Sequence, residues 1–186
     1  VSLDYAVGSI NGVVILNKYG FDIPNKITKA CIVKEEMKLK MAMHGKSYAC
    51  LKELSLCPKK YDTLFSLLRH IQQYAQFSGN GDLVKIIVWK AIQFAIKHGM
   101  GRQLPAIIAL YAIPIAVNGK VDTAQELGNV ALALTEKVPN DVEICAGTKG
   151  IVYGLIYGQL QPFKSVIDPL LQAHKDQKLV GGDKIG

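Results

Sequence analysis

The 186-residue chain predicts an all-α fold of antiparallel helical pairs, stacked as an α-solenoid or closed as an irregular bundle. Three features carry that expectation. Apolar residues recur at helical spacing through every long segment, and period-two alternation is not sustained anywhere. Gly, Pro and Asn clusters separate the segments at short intervals, as paired helices require. With 49% hydrophobic residues the chain can bury a sizeable core, so extended disorder is excluded.

The first helix is expected over Leu3–Tyr19, stopping at Gly20. Ile23 precedes Pro24 and is pushed out of the αR region, so residues 21–26 read as an extended turn. A strong helix follows over 28–44, with Thr28 as N-cap, Gly45 beyond its end, and Ile32, Val33, Met37 and Met41 on one apolar face. A short helix at 47–54 leads into the Leu56-Cys57-Pro58 loop. Leu64, Leu67, Leu68, Ile71 and Ala75 then form a stripe on a helix over 62–77. Asp82 is expected to cap 83–97, ended by His98-Gly99, and 104–117 runs to Asn118-Gly119. Asp122 is expected to cap a helix reaching Val138, and helices over 141–160 and 163–177 complete the series. The domain is read as 1–180, with a flexible Gly-rich end at 181–186.

Two small-residue patterns are candidate packing or interaction positions. Asn118 to Ala124, with Ala131 seven residues on, carries the turn and second-helix signature of one tetratricopeptide-like repeat. Small side chains at Ala124 and Ala131 let a partner helix come close. Gly150, Gly154 and Gly158 stand four apart, so on a regular helix they would align as a flat groove. Each costs about 1 kcal/mol of helix propensity relative to Ala.

The formal charge of +7 is uneven: residues 1–60 carry +5, 61–120 carry +4, and 121–186 carry −2. A basic first two thirds admits an anionic partner, either nucleic acid or a membrane surface. The basic residues are Lys except for Arg69 and Arg102, which argues against the bidentate recognition that nucleic acids favour. A protein partner, or other domains of the same chain, is the expected contact. No membrane span is expected, because the seventeen uncharged residues between Arg102 and Lys120 contain Pro105 and Pro114 and are flanked by amphipathic segments. Cys31, Cys50, Cys57 and Cys145 have neither C-x-x-C spacing nor a nearby His, so they read as small buried apolar residues in a cytoplasmic protein. Val1 at the start and the Gly-rich end read as a segment of a larger protein.

No catalytic residue, cofactor site or metal site is expected. G-x-x-x-x-G-K-[ST] is absent; Gly45-Lys46-Ser47 has its last three residues, but Lys40 stands where the first Gly belongs. His44 and His98 each precede a Gly at a helix end, where they complement the dipole. Glu35 and Glu36 are adjacent and do not face each other on a helix, so they make a poor acid–base pair. Trp89 with Phe94, and Tyr74 with Phe77, read as core aromatics.

Several segments in order resemble a known family. They are residues 16–24, 54–61, 96–99 (Ile-Lys-His-Gly), 109–111, Asn118-Gly119, 128–134 and Gln161-Pro162-Phe163. Together they resemble the helical-repeat region that follows the ATPase core in very large signalling proteins. Those proteins join a protein-kinase-like domain, a STAND-type AAA ATPase, tetratricopeptide-like helices, a sensor domain and often a histidine kinase. Pro114 departs from the pattern, where the family keeps a helix unbroken. The resemblance implies a non-catalytic regulatory or scaffolding segment whose parent protein would carry ATPase and kinase activity. The alternative is a free-standing helical domain that binds an anionic partner through its basic first two thirds.

Overall fold

The computed structural model describes residues 2–182, with side-chain detail for all but 2, 3, 163 and 179–182. The fold is all-α: 78% of the chain is helical, and no strand occurs among the described residues. The helices are α1 (Ser2–Lys18), α2 (Lys29–Ala42), α3 (Asp62–Phe77), α4 (Gly81–His98), α5 (Leu104–Val117), α6 (Val121–Thr135), α7 (Val142–Gly150), α8 (Gly158–Leu160) and α9 (Phe163–Gly182). Two 3₁₀ turns, Tyr48–Glu53 and Lys59–Tyr61, precede α3, and a π-helical segment, Ile151–Tyr157, joins α7 to α8. Two compact units divide at Ile107/Ile108. The chain passes that point within α5, which continues through Pro114 instead of breaking there. Within the sequence-expected Gly-rich end, α9 reaches Gly182, and 183–186 lie outside the described residues.

In the first unit, contacts run from α1 to α3, from α3 to α4 and from α4 to α2. Helix α4 is the centre: Ile86, Ile87, Val88, Ala91, Ile92 and Ala95 are all inaccessible, and Trp89 is buried with them. A helix apolar on nearly every side is stable only when covered on nearly every side. Each such Ile or Val contributes about 1.5–3 kcal/mol by leaving water. Asn17 holds the end of α1 to the extended turn, donating to the Ile23 carbonyl at 2.8 Å and accepting from its N–H at 2.7 Å. A short parallel bridge forms where Cys57 N–H donates to the Met100 carbonyl (2.9 Å) and Met100 N–H to that of Ser55 (2.8 Å). Gly99 makes this possible. Its φ is +91°, and a Cβ there would stand 2.9 Å from the Cys57 backbone.

In the second unit α7 packs along α9, and the π segment touches α6, α7 and α9. The single helix expected over 141–160 is therefore wound in two ways. Asp141 caps its start, accepting from Ile144 N–H at 3.4 Å. Glycines at 150, 154 and 158 weaken regular α winding, which lowers the cost of changing to i→i+5 bonding.

Two caps move by two residues. Asn80, not Asp82, caps α4 by accepting from Leu83 N–H at 3.1 Å, which leaves Asp82 in the first turn paired with Lys85. Lys120 occupies the α6 cap without a side-chain bond, which puts Asp122 inside the first turn. Both prior Gly residues, Gly79 and Gly119, have positive φ (+74° and +75°), and this sets the frame earlier than the acid suggests.

The largest departure is α2. Of its expected apolar row, Val33, Met37 and Met41 face solvent and Ile32 is half-buried, while Glu35 (5% exposed) and Leu39 (3%) face the core. Glu35 Oε1 accepts from Lys38 Nζ at 2.7 Å, and Oε2 lies 3.2 Å from Lys90 Nζ on α4, itself only 9% exposed. Burial pushes the Glu35 carboxyl up, but bonds from Lys38 and the charge of Lys90 outweigh it and hold the group below the usual carboxylate range. Removing one member of a buried pair strands the other charge, so Glu35→Ala should cost about 3–5 kcal/mol in chemical denaturation. Glu35→Met with Lys90→Leu should recover most of that loss. Because the folded carboxyl titrates below the model-compound value of 4.5, its contribution is present above that pH and fades on acidification through the folded value. An unchanged denaturation midpoint in Glu35→Ala would show that the pair does not hold α2.

Candidate interaction surfaces

The small-residue positions separate in the structure. Ala124 and Ala131 are fully buried on α6. Gly128 lies buried between them, and a Cβ there would stand 3.1 Å from the Tyr157 ring and 3.3 Å from Val152. Tyr157 donates its hydroxyl to Asn129 Oδ1 at 2.6 Å. This face of α6 receives the π segment. Gly150, Gly154 and Gly158 do not share a neighbour. Gly150 faces open space, Gly154 meets Leu170 at an ordinary 3.4 Å, and Gly158 meets only the Tyr153 carbonyl. The i→i+5 winding between them takes positions four apart off a common face.

The close helix approach occurs instead at Gly8 and Gly12 on α1. A Cβ on Gly12 would overlap Ile71, and one on Gly8 would stand 2.9 Å from the Tyr74 ring. Their four-residue spacing was visible in the sequence, but spacing alone does not show which glycines meet a neighbour. Phe77, expected in the core beside Tyr74, is exposed and stacks on Tyr5 at 5.3 Å.

Helix α2 presents Val33, Met37 and Met41 to solvent, at 55%, 58% and 65% exposure. Ala30 continues this row at its start, and Lys29, Lys34 and Lys40 are exposed around it. Helix α1 has a second exposed row, Val7, Ile10 and Val14.

An aromatic cluster lies at the end of α4. The His98 ring stacks 4.6 Å from Phe94 and 4.8 Å from Tyr61, and Phe21 and Phe65 close on Phe94 at 5.3 and 5.6 Å. A cleft of about 530 Å³ beside it is lined by Glu53, Ser55, Lys60, Tyr61, Lys97 and His98. This arrangement is a lysine-rimmed hollow beside the tilted rings. Among the described residues, no group of three or more His, Cys, Asp or Glu could hold a metal ion. The four cysteines are half-buried, not buried as expected, and all are free. Burial raises the Cys57 and Cys145 thiols, whereas the Thr28 hydroxyl bonded to Cys31 lowers that one.

No family model, curated protein or solved structure matches the chain. The surfaces themselves therefore carry the functional reading.

Two measurements check this geometry. Gly12→Ala should destabilise by about 1–3 kcal/mol by overpacking against Ile71, whereas Gly150→Ala should be neutral or stabilise by up to about 1 kcal/mol. Equal melting temperatures for the two variants would contradict the α1–α3 approach. Burial pushes the Tyr157 phenol up to about 12, with Tyr153 adding to the shift. The folded state then holds its proton more tightly than the unfolded state, so this contribution is complete below the ordinary phenol value of 10 and is lost as pH rises toward about 12. Tyr157→Phe should flatten that alkaline decline in denaturation midpoint. A decline unchanged by the substitution would show that the phenol is not shielded.

Proposed function

We propose that the chain is a non-catalytic regulatory or scaffolding helical segment that makes protein–protein or intramolecular contacts in a multidomain signalling ATPase or kinase of the cytoplasm. The observation that carries the contact role is α2, which turns a charged pair inward and an apolar row outward. Helices that pack on the second helix along, α1 with α3 and α2 with α4, support the repeat-like part of the reading. Among the described residues no helix is long and apolar enough to cross a membrane.

The regulatory reading requires that nucleotide be handled elsewhere in the parent protein. His44 (φ +52°) and Gly45 (φ +70°) close the end of α2, and Gly45 N–H donates to the Lys40 carbonyl at 3.0 Å. Lys46 and Ser47 then lead into a 3₁₀ turn. A phosphate loop needs a strand before it and a helix after it. Calorimetric titration of the chain with ATP and magnesium should give no saturable heat. Micromolar binding lost on Lys46→Ala would replace this reading with a nucleotide-binding domain.

The lysine-rimmed cleft at Lys60 and Lys97 favours a second reading, in which a free-standing helical domain takes an anionic partner. Binding to nucleic acid or anionic vesicles that falls steeply with salt would support it over the first.

A further inference from the structure

We infer that the solvent face of α2 is a docking seam for an acidic amphipathic helix of a protein partner. The inference rests on the contact role proposed above and names the partner's chemistry. Ala30, Val33, Met37 and Met41 are spaced by three, four and four residues, which puts them in one row along a 14-residue helix. The row cannot turn inward, because the opposite side of α2 is tied to α4 by Glu35 and Lys90 and packed by Leu39. Methionine suits such a seam, since its unbranched thioether adapts to the shape that meets it.

Charge selects the occupant. Lys34 stands on one side of the row, and Lys29 and Lys40 stand on the other, all three exposed. From Lys26 to Lys46 there are six lysines and two acids, a net +4 after Lys38 pairs with Glu35 and Lys40 with Glu36. A helix with apolar residues at i, i+3, i+4 and i+7 and glutamates beside them would match both the row and its flanks. A second copy of this chain would bring lysine rows against lysine rows, which opposes pairing. A membrane surface calls for a broad apolar face with aromatic anchors, whereas this row is one residue wide and α2 has no aromatic residue. A seam about 17 Å long implies a small, exchangeable interface.

The probe is a synthetic helical peptide with leucines at seam spacing and glutamates on both flanks, titrated by fluorescence anisotropy against the full chain. A peptide with lysines in place of the glutamates is the control. Saturable binding of the acidic peptide is expected, weakened at least tenfold by Met37→Glu, unchanged by Val117→Glu at the exposed end of α5, and absent for the lysine peptide. Met37 is outward-facing, so its variant should keep its melting temperature. If it does not, amide shift perturbations in the wild-type chain decide the matter. Shifts confined to Val33, Met37, Met41 and their neighbours support the seam, and shifts elsewhere overturn it. No binding, equal binding of both peptides, or binding unaffected by Met37→Glu would also overturn it. So would partition onto phosphatidylserine vesicles without peptide binding, or a chain dimer dissolved by Met37→Glu in sedimentation. ATP binding through Lys46 would remove the contact role beneath the inference, whereas a silent ATP titration with no peptide binding would remove the seam alone.

Discussion

The rotation of one helix depends on one buried ion pair. Glu35 on α2 and Lys90 on α4 meet at 3.2 Å, each almost closed off from water. Turning α2 by half a revolution would bury Val33, Met37 and Met41, which are 55–65% exposed, and gain about 3–5 kcal/mol from apolar transfer. The same turn would expose Leu39 and Met43, losing about 3–6 kcal/mol, and would strand Lys90, losing about 3–5 kcal/mol more. The apolar contributions of the two orientations thus nearly cancel, and the ion pair decides between them. Hydrophobic burial alone does not set the rotation of α2.

The rest of the first unit follows from how near α1 can come. Gly8 and Gly12 remove the side chains that would keep α1 off α3, so Ile71 and the Tyr74 ring fill the space. In the second unit the same residue type acts differently. Glycines at 150, 154 and 158 sit in or beside a π-helical segment, where they contribute backbone freedom and no shared contact surface. Close approach there is supplied by Gly128 on α6, against Tyr157 and Val152.

Much of the fold was legible in the sequence. The bounds of α3 and α5 follow from apolar stripes and from the breakers beside them. The orientation of α2 was not legible. Periodicity identifies an apolar row but not which way it faces, and the Lys that fixes the rotation lies on another helix, 55 residues beyond Glu35. The π segment was hidden because i→i+5 bonding has no residue signature distinct from a glycine-rich helix. Of the candidate site, Ala124 and Ala131 could be picked out by size, whereas Gly8, Gly12 and Gly128 needed the neighbouring side chains to be seen.

Exposed apolar rows on α1 and α2 lie on the two helices that flank the α3–α4 pair, yet they are not equivalent surfaces. The α1 row has Asp4 and Lys18 near its ends and no charged residue between them. Such a surface gains by leaving water, whatever covers it. The α2 row is bordered by lysines along its length. Apolar contact supplies affinity there, while the lysines penalise a basic or identical surface and reward an acidic one. Two helices of similar apolar content therefore differ in what they can discriminate. The difference lies in the lysines beside the row, and the buried Glu35 that keeps the row outward also keeps those lysines beside it in solvent.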